Sequence, residues 1–367
     1  MSARMPARCV IVGAGAIAGA HAAALAEQGG RAQVVAAVDL DPDRARRFAH
    51  RWGIPRTATD LKEVLAGGEV DLVHICTPPH THPRLAQQCL TAGVPVLLEK
   101  PPAISLRDLD TMGDTPHASI AVVFQHRFGS AADRVRRLAT AGTLGRPLTA
   151  TCQTSWYRDD VYFAAPWRGT WDNEGGGPTM GHGIHQMDLM LSILGPWAQV
   201  TAMAARQSRP TQTEDLSCAV VRFENGALAT VVNSVVSPRQ TSVLRIDWEH
   251  ATTEVEHLYG YGDDDWRFTP APGHEQLHAD WSSGPAGTPS GHAAQLRVVL
   301  DALADGTPPP VTLAEARDTL ELAAAIYASS FTARPVRRGE IGPGHPFYTR
   351  MDGTGAPWHA TTSPRNP

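Results

Sequence analysis

Three short stretches of this sequence carry the residue types and spacing of a reaction centre. Glu99-Lys100-Pro101-Pro102 puts a lysine, flanked by a carboxylate and two prolines, where an apolar run ends. A lysine so placed can point at a substrate carbonyl or hydroxyl. Partial desolvation or neighbouring cations lower its proton affinity toward working pH. Gly175-Gly176-Gly177 leads into a helical pattern that carries His182, His185 and Asp188. Residues three apart share a helix face, so the imidazoles can converge, with Asp188 about one turn beyond. Such a pair suits general acid–base work or a metal, but two imidazoles leave a metal short of ligands, so no metal is expected. Gly13-Ala14-Gly15-Ala16-Ile17-Ala18 fits G-x-G-x-x-G/A. Gly13 and Gly15 permit a tight turn and a close approach of pyrophosphate, and the helix behind them offers free N–H groups. Asp39 closes the next apolar run, where a carboxylate binds ribose hydroxyls and repels a 2′-phosphate. NAD is therefore expected before NADP, with Arg44 near enough in sequence to keep NADP open. Each stretch also has a plainer reading: an ordinary strand–helix turn, a surface Lys–Glu pair, and a capped helix with structural histidines.

The elements that must position these residues change character along the chain. Up to about residue 126, short apolar runs (Cys9–Val12, Val34–Val38, Leu72–Cys76, Val94–Leu98, Ile120–Phe124) alternate with helical patterns (Ala16–Gln28, a helix capped by Asp41 with Pro42 at its first position and stopped by Gly53, Leu61–Leu65, His82–Ala92). That alternation predicts βαβ units and a parallel sheet covered on both faces. Ser105 and Asp108 read as a capping pair for a further short helix. Beyond residue 126 come a helix at Ala131–Ala141, a strand near Leu148–Tyr157 and a helix at His185–Leu194. The runs Val200–Ala205, Leu216–Phe223, Leu228–Val235, Val243–Trp248 and Thr252–His257 then read as antiparallel strands, with Glu224-Asn225-Gly226 as a hairpin turn. Tyr261–Gly291 reads as a loop, Ala293–Ala304 and Thr312–Ser330 as helices, and the segment from Gly342 as a tail that frays. The expected division is 1–126, 127–345 and a tail 346–367. The fold class is α/β: an N-terminal Rossmann fold and a C-terminal α+β domain with a large, mostly antiparallel open sheet.

Composition narrows the partners. The 367 residues carry a net charge of −5 and are 42% apolar, which predicts packed globular domains and argues against nucleic acid or an anionic membrane as the main partner. Cys9, Cys76, Cys89, Cys152 and Cys218 are scattered with no C-x-x-C pair and read as buried free thiols in a reducing compartment. No signal peptide is expected at Met1–Arg8 and no apolar run is long enough to span a membrane, so the cytoplasm is the default location.

Four matches in order make the chain resemble the Gfo/Idh/MocA family, the glucose–fructose oxidoreductase and inositol dehydrogenase type. They are the glycine turn with His21 three residues beyond it; Thr77-Pro78-Pro79-His80-Thr81-His82, close to T-P-N-x-x-H; Glu99-Lys100-Pro101, the E-K-P signature; and Gly175-Gly176-Gly177 followed by His185 and Asp188. Arg127-Phe128 and Trp167-Arg168 also resemble it. The resemblance implies NAD or NADP held by Gly13, Gly15, Ala16, Ile17, Ala18, Asp39, Thr77, Pro78, His82, Glu99 and Lys100. It implies a sugar, sugar-derivative or cyclitol substrate bound between the domains, and a homodimer or homotetramer through the C-terminal sheet. Lys100 would hydrogen-bond the reacting hydroxyl, His185 would take its proton, and hydride would pass to the nicotinamide. Arg127, Tyr157, Trp167, Arg168 and His182 are the expected substrate contacts, since aromatic faces stack on sugar rings; Trp156 and Trp171 share the stretch, with a core role as the alternative.

Two positions depart from the pattern. Gly181 stands where many members carry an aspartate four residues before the histidine, so His182 is expected to replace that carboxylate in part. Pro79 replaces the asparagine of T-P-N. Two rivals to a simple dehydrogenase stay open: a redox-assisted glycosidase or lyase with tightly bound NAD, and a non-catalytic NAD(P) sensor on the same fold.

Overall fold

Near-continuous apolar runs make the first sheet, as burial on both faces requires. The computed structural model describes residues 5–113 and 119–359. Its first sheet holds β1 (Ala7–Val12), β2 (Ala32–Val38), β3 (Thr57–Ala58), β4 (Leu72–Ile75), β5 (Val96–Leu98) and β6 (Ile120–Val122), in the order β3-β2-β1-β4-β5-β6. Every pairing is parallel. The order reverses between β1 and β4, and ligands of such sheets lie outside the carboxyl ends of the strands at that switch point. Local chemistry sets the helices between them. Asp41 accepts hydrogen bonds from Asp43 N–H and Arg44 N–H, Pro42 opens the helix Pro42–Trp52, and Gly53 closes it in the left-handed conformation. Helix Ala16–Ala26 follows β1 directly, and its alanines allow close packing on the sheet beside Cys9, Ile11 and Leu72.

The chain returns to this unit late. Gly291–Ala316 belongs to it, together with Met1–Ala103 and Asp108–Gln125. Helix His292–Asp305 buries Leu296, Val299 and Leu300 in the same core. Gln295 Nε2 donates to the Val122 carbonyl of β6 at 2.8 Å, which ties that helix to the sheet edge.

The second unit is built on eight strands. They are β7 (Pro147–Tyr157), β8 (Trp197–Ala205), β9 (Leu216–Phe223), β10 (Leu228–Ser234), β11 (Val236–Trp248), β12 (Ala251–His257), β13 (Trp266–Pro270) and β14 (Val336–Arg337), ordered β13-β12-β11-β7-β10-β9-β8-β14. All pair antiparallel except β7 with β10. Burial alternates strictly along β9, so one face of the sheet is core and the other is open. The hairpin β9–β10 turns at Asn225-Gly226, with Gly226 at φ +92°.

Three expectations need correction. Tyr261–Gly291 is not a plain loop: it contains β13 and a helix, Leu277–Ser282. The strand is five residues at a sheet edge, where proline such as Pro270 is tolerated, and its period-two signal is too short to stand out among Asp and Gly neighbours. Cys218 is not buried but exposed, because it falls on the open face of β9. The segment after Gly342 is packed where it is described, with Phe347, Met351 and Ala356 buried. The fraying expected of its end falls on residues 360–367, outside the described residues.

Candidate functional site

The glycine turn forms as its spacing predicts. Gly13 sits at φ +90°, and a Cβ there would lie 2.8 Å from the Cys76 carbonyl oxygen, so the position admits no side chain. Gly15 is the N-cap of helix Ala16–Ala26 and carries no side chain to occupy the first-turn N–H groups. Gly15 and Ala16 are exposed, Ile17 is half-buried and Ala18 is buried against the sheet. A helix start with free, exposed N–H groups fits a pyrophosphate. Asp39 closes β2 and is buried at 8% exposure. One of its oxygens accepts Ala14 N–H at 2.8 Å and the other accepts Asp41 N–H at 2.9 Å. Arg44 Nη1 stands 3.6 Å from the same carboxylate. Asp39 therefore shapes the turn as well as marking where a ribose would be read.

The second loop of this unit follows β4. Thr77 Oγ1 and Thr81 Oγ1 lie 2.6 Å apart, and Thr81 Oγ1 donates to the Pro78 carbonyl at 2.8 Å. His82 is buried, with Nε2 at 2.8 Å from the Thr77 carbonyl and Nδ1 at 3.0 Å from the Pro101 carbonyl. Both ring nitrogens thus face backbone, and the ring braces the loop instead of presenting itself to a ligand. Burial lowers its pKa, against the pull of those carbonyls.

Lys100 follows β5 and is half-buried; its bond to Pro101 is cis, as the tight turn suggests. Glu99 beside it is 4% exposed. Its Oε1 meets His21 Nε2 at 2.9 Å and His292 Nε2 at 3.2 Å, and its Oε2 accepts Lys100 N–H at 3.1 Å. Burial alone would raise the pKa of this carboxyl, but the two imidazoles reverse that and hold it well below the usual range. Among the described residues, His21, Glu99 and His292 are also the one trio with donor atoms spaced for a metal ion, all within 4.8 Å. With Glu99 ionised, however, each imidazole N–H is already spent on its oxygen. The trio is satisfied as hydrogen bonds and needs no cation. His182 and His185, the pair weighed from sequence as metal ligands, belong to no such group.

The second unit carries the other residues. Gly177 must be glycine because a Cβ would run into the Glu214 carbonyl, and Gly176 because it would meet the Tyr327 hydroxyl. Glu214 is the hub of this turn. It accepts Gly177 N–H at 2.9 Å, Thr179 N–H at 3.1 Å and the Tyr327 hydroxyl at 2.8 Å. Burial pushes its pKa up to about 7, against the pull of these donors. The anchored turn starts the short helix Pro178–Gly181, and Ile184–Leu194 follows with His185 at 3% exposure. The His185 ring lies 5.0 Å from that of His126 and 5.8 Å from Tyr259, centroid to centroid. His182 packs edge-on to Trp156 at 5.1 Å, and its Nε2 is 3.5 Å from the Tyr162 hydroxyl. A Cβ at Gly181 would meet nothing within 4 Å, so the departure from the family pattern leaves space, not a clash.

The expected substrate contacts separate into two groups. Arg168 is sandwiched between the rings of Tyr162 (3.9 Å) and Trp167 (4.3 Å), donates to the Tyr162 hydroxyl and pairs with Glu174 at 3.3 Å. With His182, these side chains form one aromatic and cationic surface. Tyr157 is 41% exposed on β7, under Arg209. Arg127 stands apart: its Nε and Nη2 both reach the fully buried Asp188 at 2.6 Å, in a bidentate pair that Thr319 supports at 3.1 Å. Trp171 is core, its Nε1 on the Gln212 carbonyl at 3.0 Å and its ring against Tyr327. Tyr162, Glu214, His74 and His292 went unmarked in the sequence, and no local pattern there distinguishes them.

Known proteins supply an independent comparison. Residues 7–124 match the model of the GFO/IDH/MocA oxidoreductase family, NAD-binding Rossmann fold, and residues 132–255 match the GFO/IDH/MocA C-terminal domain. The chain is 28% identical over 340 residues to inositol 2-dehydrogenase 2 of Paenarthrobacter aurescens, covering 88% of this chain and 95% of that one. It is 29% identical over 208 residues to the 1-carboxy-3-chloro-3,4-dihydroxycyclohexa-1,5-diene dehydrogenase of Comamonas testosteroni, spanning 56% of this chain and about half (52%) of that relative. The crystal structure of the WlbA dehydrogenase from Bordetella pertussis, in complex with NADH and UDP-GlcNAcA, matches with a TM-score of 0.80 at 26% identity, over 90% of this chain and 98% of that one.

Proposed function

Since the chain belongs to the Gfo/Idh/MocA family of NAD-binding oxidoreductases, we propose that it is an NAD-dependent dehydrogenase of a sugar, sugar-derivative or cyclitol hydroxyl. The observation that carries this is the Lys100 turn, fixed at the carboxyl end of β5 in the same sheet as the glycine turn. Bound NAD supplies the hydride acceptor. Gly13, Gly15 and the start of helix Ala16–Ala26 hold its pyrophosphate, and Asp39 selects the unphosphorylated ribose. Lys100 hydrogen-bonds the reacting hydroxyl and His185 takes its proton. Trp167, Arg168, Tyr162 and His182 form the surface for the ring, with His182 standing in for the carboxylate that Gly181 omits. The relatives, an inositol dehydrogenase among them, support this substrate class.

Assembly belongs to the same reading. The open face of the large sheet exposes Leu148, Met203, Val220 and Leu228, an apolar surface suited to a homodimer or homotetramer. Free cysteines suit the cytoplasm, and no helix among the described residues is long and apolar enough to cross a membrane.

A panel of sugars, sugar acids and cyclitols, assayed with NAD and with NADP, tests the proposal. Net NADH formation with at least one of them is the expected outcome. Product formed with no net change in cofactor would replace the dehydrogenase by the redox-assisted lyase or glycosidase, and silence across the panel would remove it.

A further inference from the structure

Four histidines gather behind the Lys100 turn, and their protons can be counted. A neutral imidazole has one N–H. With Glu99 ionised, His21 and His292 both place that proton on Nε2, facing Oε1. His21 Nδ1 is then a lone pair, which takes the Nδ1–H of His74 at 2.9 Å. His74 Nε2 ends the chain as a buried lone pair with no partner among the described residues. The charge on Glu99 therefore sets the tautomers of His21, His292 and His74. Glu99 passes the order on to the lysine turn through its Oε2, which accepts the Lys100 N–H at 3.1 Å. On the other side of Lys100, the Pro101 carbonyl meets His82 Nδ1 at 3.0 Å. The backbone is thus held before the lysine by Glu99 and met after it by His82, whose single N–H when neutral serves either the Pro101 or the Thr77 carbonyl.

We propose that His21 and His292, acting through Glu99, and His82, acting through Pro101, are positioning residues that fix the Lys100 turn without touching substrate. The groups facing Glu99 are His21 from helix Ala16–Ala26, His74 and Cys76 from β4 and its end, His82 from helix His82–Thr91, and His292 from helix His292–Asp305. Burial holds His21 and His74 below their ordinary range and Cys76 well above its own, so these stay neutral near pH 7. Remove one donor from Glu99 and the burial cost acts with less opposition, so its carboxyl takes up a proton closer to neutrality.

The chain has two lysines, Lys62 and Lys100, which makes a direct probe simple. Reductive methylation with ¹³C-formaldehyde labels both together with the N-terminal amine, and Lys62→Arg and Lys100→Arg variants assign the three signals. Between pH 5 and 8 the Lys100 signal of a His292→Leu variant steps as Glu99 titrates, while Lys62 does not move. In His292→Gln the amide N–H replaces the lost donor and the step disappears. The kinetic arm rests on the dehydrogenase reading: kcat of His292→Leu falls about tenfold, NAD affinity and substrate KM stay within about twofold, and His292→Gln recovers most of the loss. A Lys100 signal in His292→Leu that shows no step, or a step that His292→Gln leaves in place, overturns the proposal. A native enzyme silent on every substrate, with the spectroscopic step present and rescued, refutes the dehydrogenase reading and leaves the brace standing.

Discussion

The lysine turn of the first unit and the histidine helix of the second are each anchored on a buried carboxylate but built differently around it. Around Lys100 the backbone is gripped by side chains: an ionised carboxylate, itself gripped by two imidazoles, and a third imidazole on the next carbonyl. Before His185 a buried carboxylate also takes backbone N–H groups, Glu214 on Gly177 and Thr179, but the fit rests on missing side chains: Gly176 and Gly177 lie flush against Tyr327 and Glu214. A loop has no repeating hydrogen bonds of its own and must be tied down residue by residue. A helix carries its residues rigidly once its first turn is anchored.

The largest expected break is at the lysine. Lys100→Met should lower kcat/KM by about 10³-fold while NAD binding, followed by cofactor fluorescence, stays near native. A variant that keeps a tenth of native activity would remove Lys100 from the chemistry. His185→Asn should lower kcat by about 10²-fold with NAD binding near native. His182→Asn should act mainly on substrate KM, and equal effects from the two would erase the distinction drawn between them.

Packing predictions sharpen the comparison. Gly177→Ala should destabilise the protein by about 1–3 kcal/mol, read as a lower Tm, whereas Gly181→Ala, facing open space, should change Tm little. Glu214 gives this half its own pH signature. Its folded pKa, about 7, lies above the unfolded value, so the folded state binds the extra proton and stability falls as pH rises from about 4.5 through 7. Tm measured across that window should show the fall in the native protein and a flatter course in Glu214→Gln. The smallest effect is expected from Gly181→Asp: a carboxylate placed beside His182 should move substrate KM by about threefold at most. No movement would mean that the family carboxylate has no counterpart role here.

What could be read from sequence follows the same divide. The strand–glycine–helix turn, the Asp41 cap with Pro42 and the Gly53 stop are decided by residues within a few positions of one another, and all form as expected. The βαβ alternation likewise fixes the parallel sheet. Glu214 under the glycines and His292 on Glu99 are brought in from remote segments, and nothing local marks either as part of a site. Arg127, expected at the substrate from the resemblance, also makes a bidentate pair with Asp188, 61 residues away, that no local pattern announces. The glycine run was read as a motif, but its reason, steric exclusion by Glu214 and Tyr327, exists only in three dimensions.

Asp39 bears on any attempt to re-engineer cofactor choice. The usual route to an NADP-using variant is to delete the acid at this position and add a cation, as though the residue were a detachable selectivity filter. Here the same carboxylate fastens Ala14 of the glycine turn and Asp41 at the head of the next helix. Deleting it would loosen the mould that shapes the pyrophosphate seat, and a designer would lose affinity for both cofactors before gaining preference for either. Even asparagine, which sheds the charge, keeps only one of the two acceptors and so would unfasten either Ala14 or Asp41.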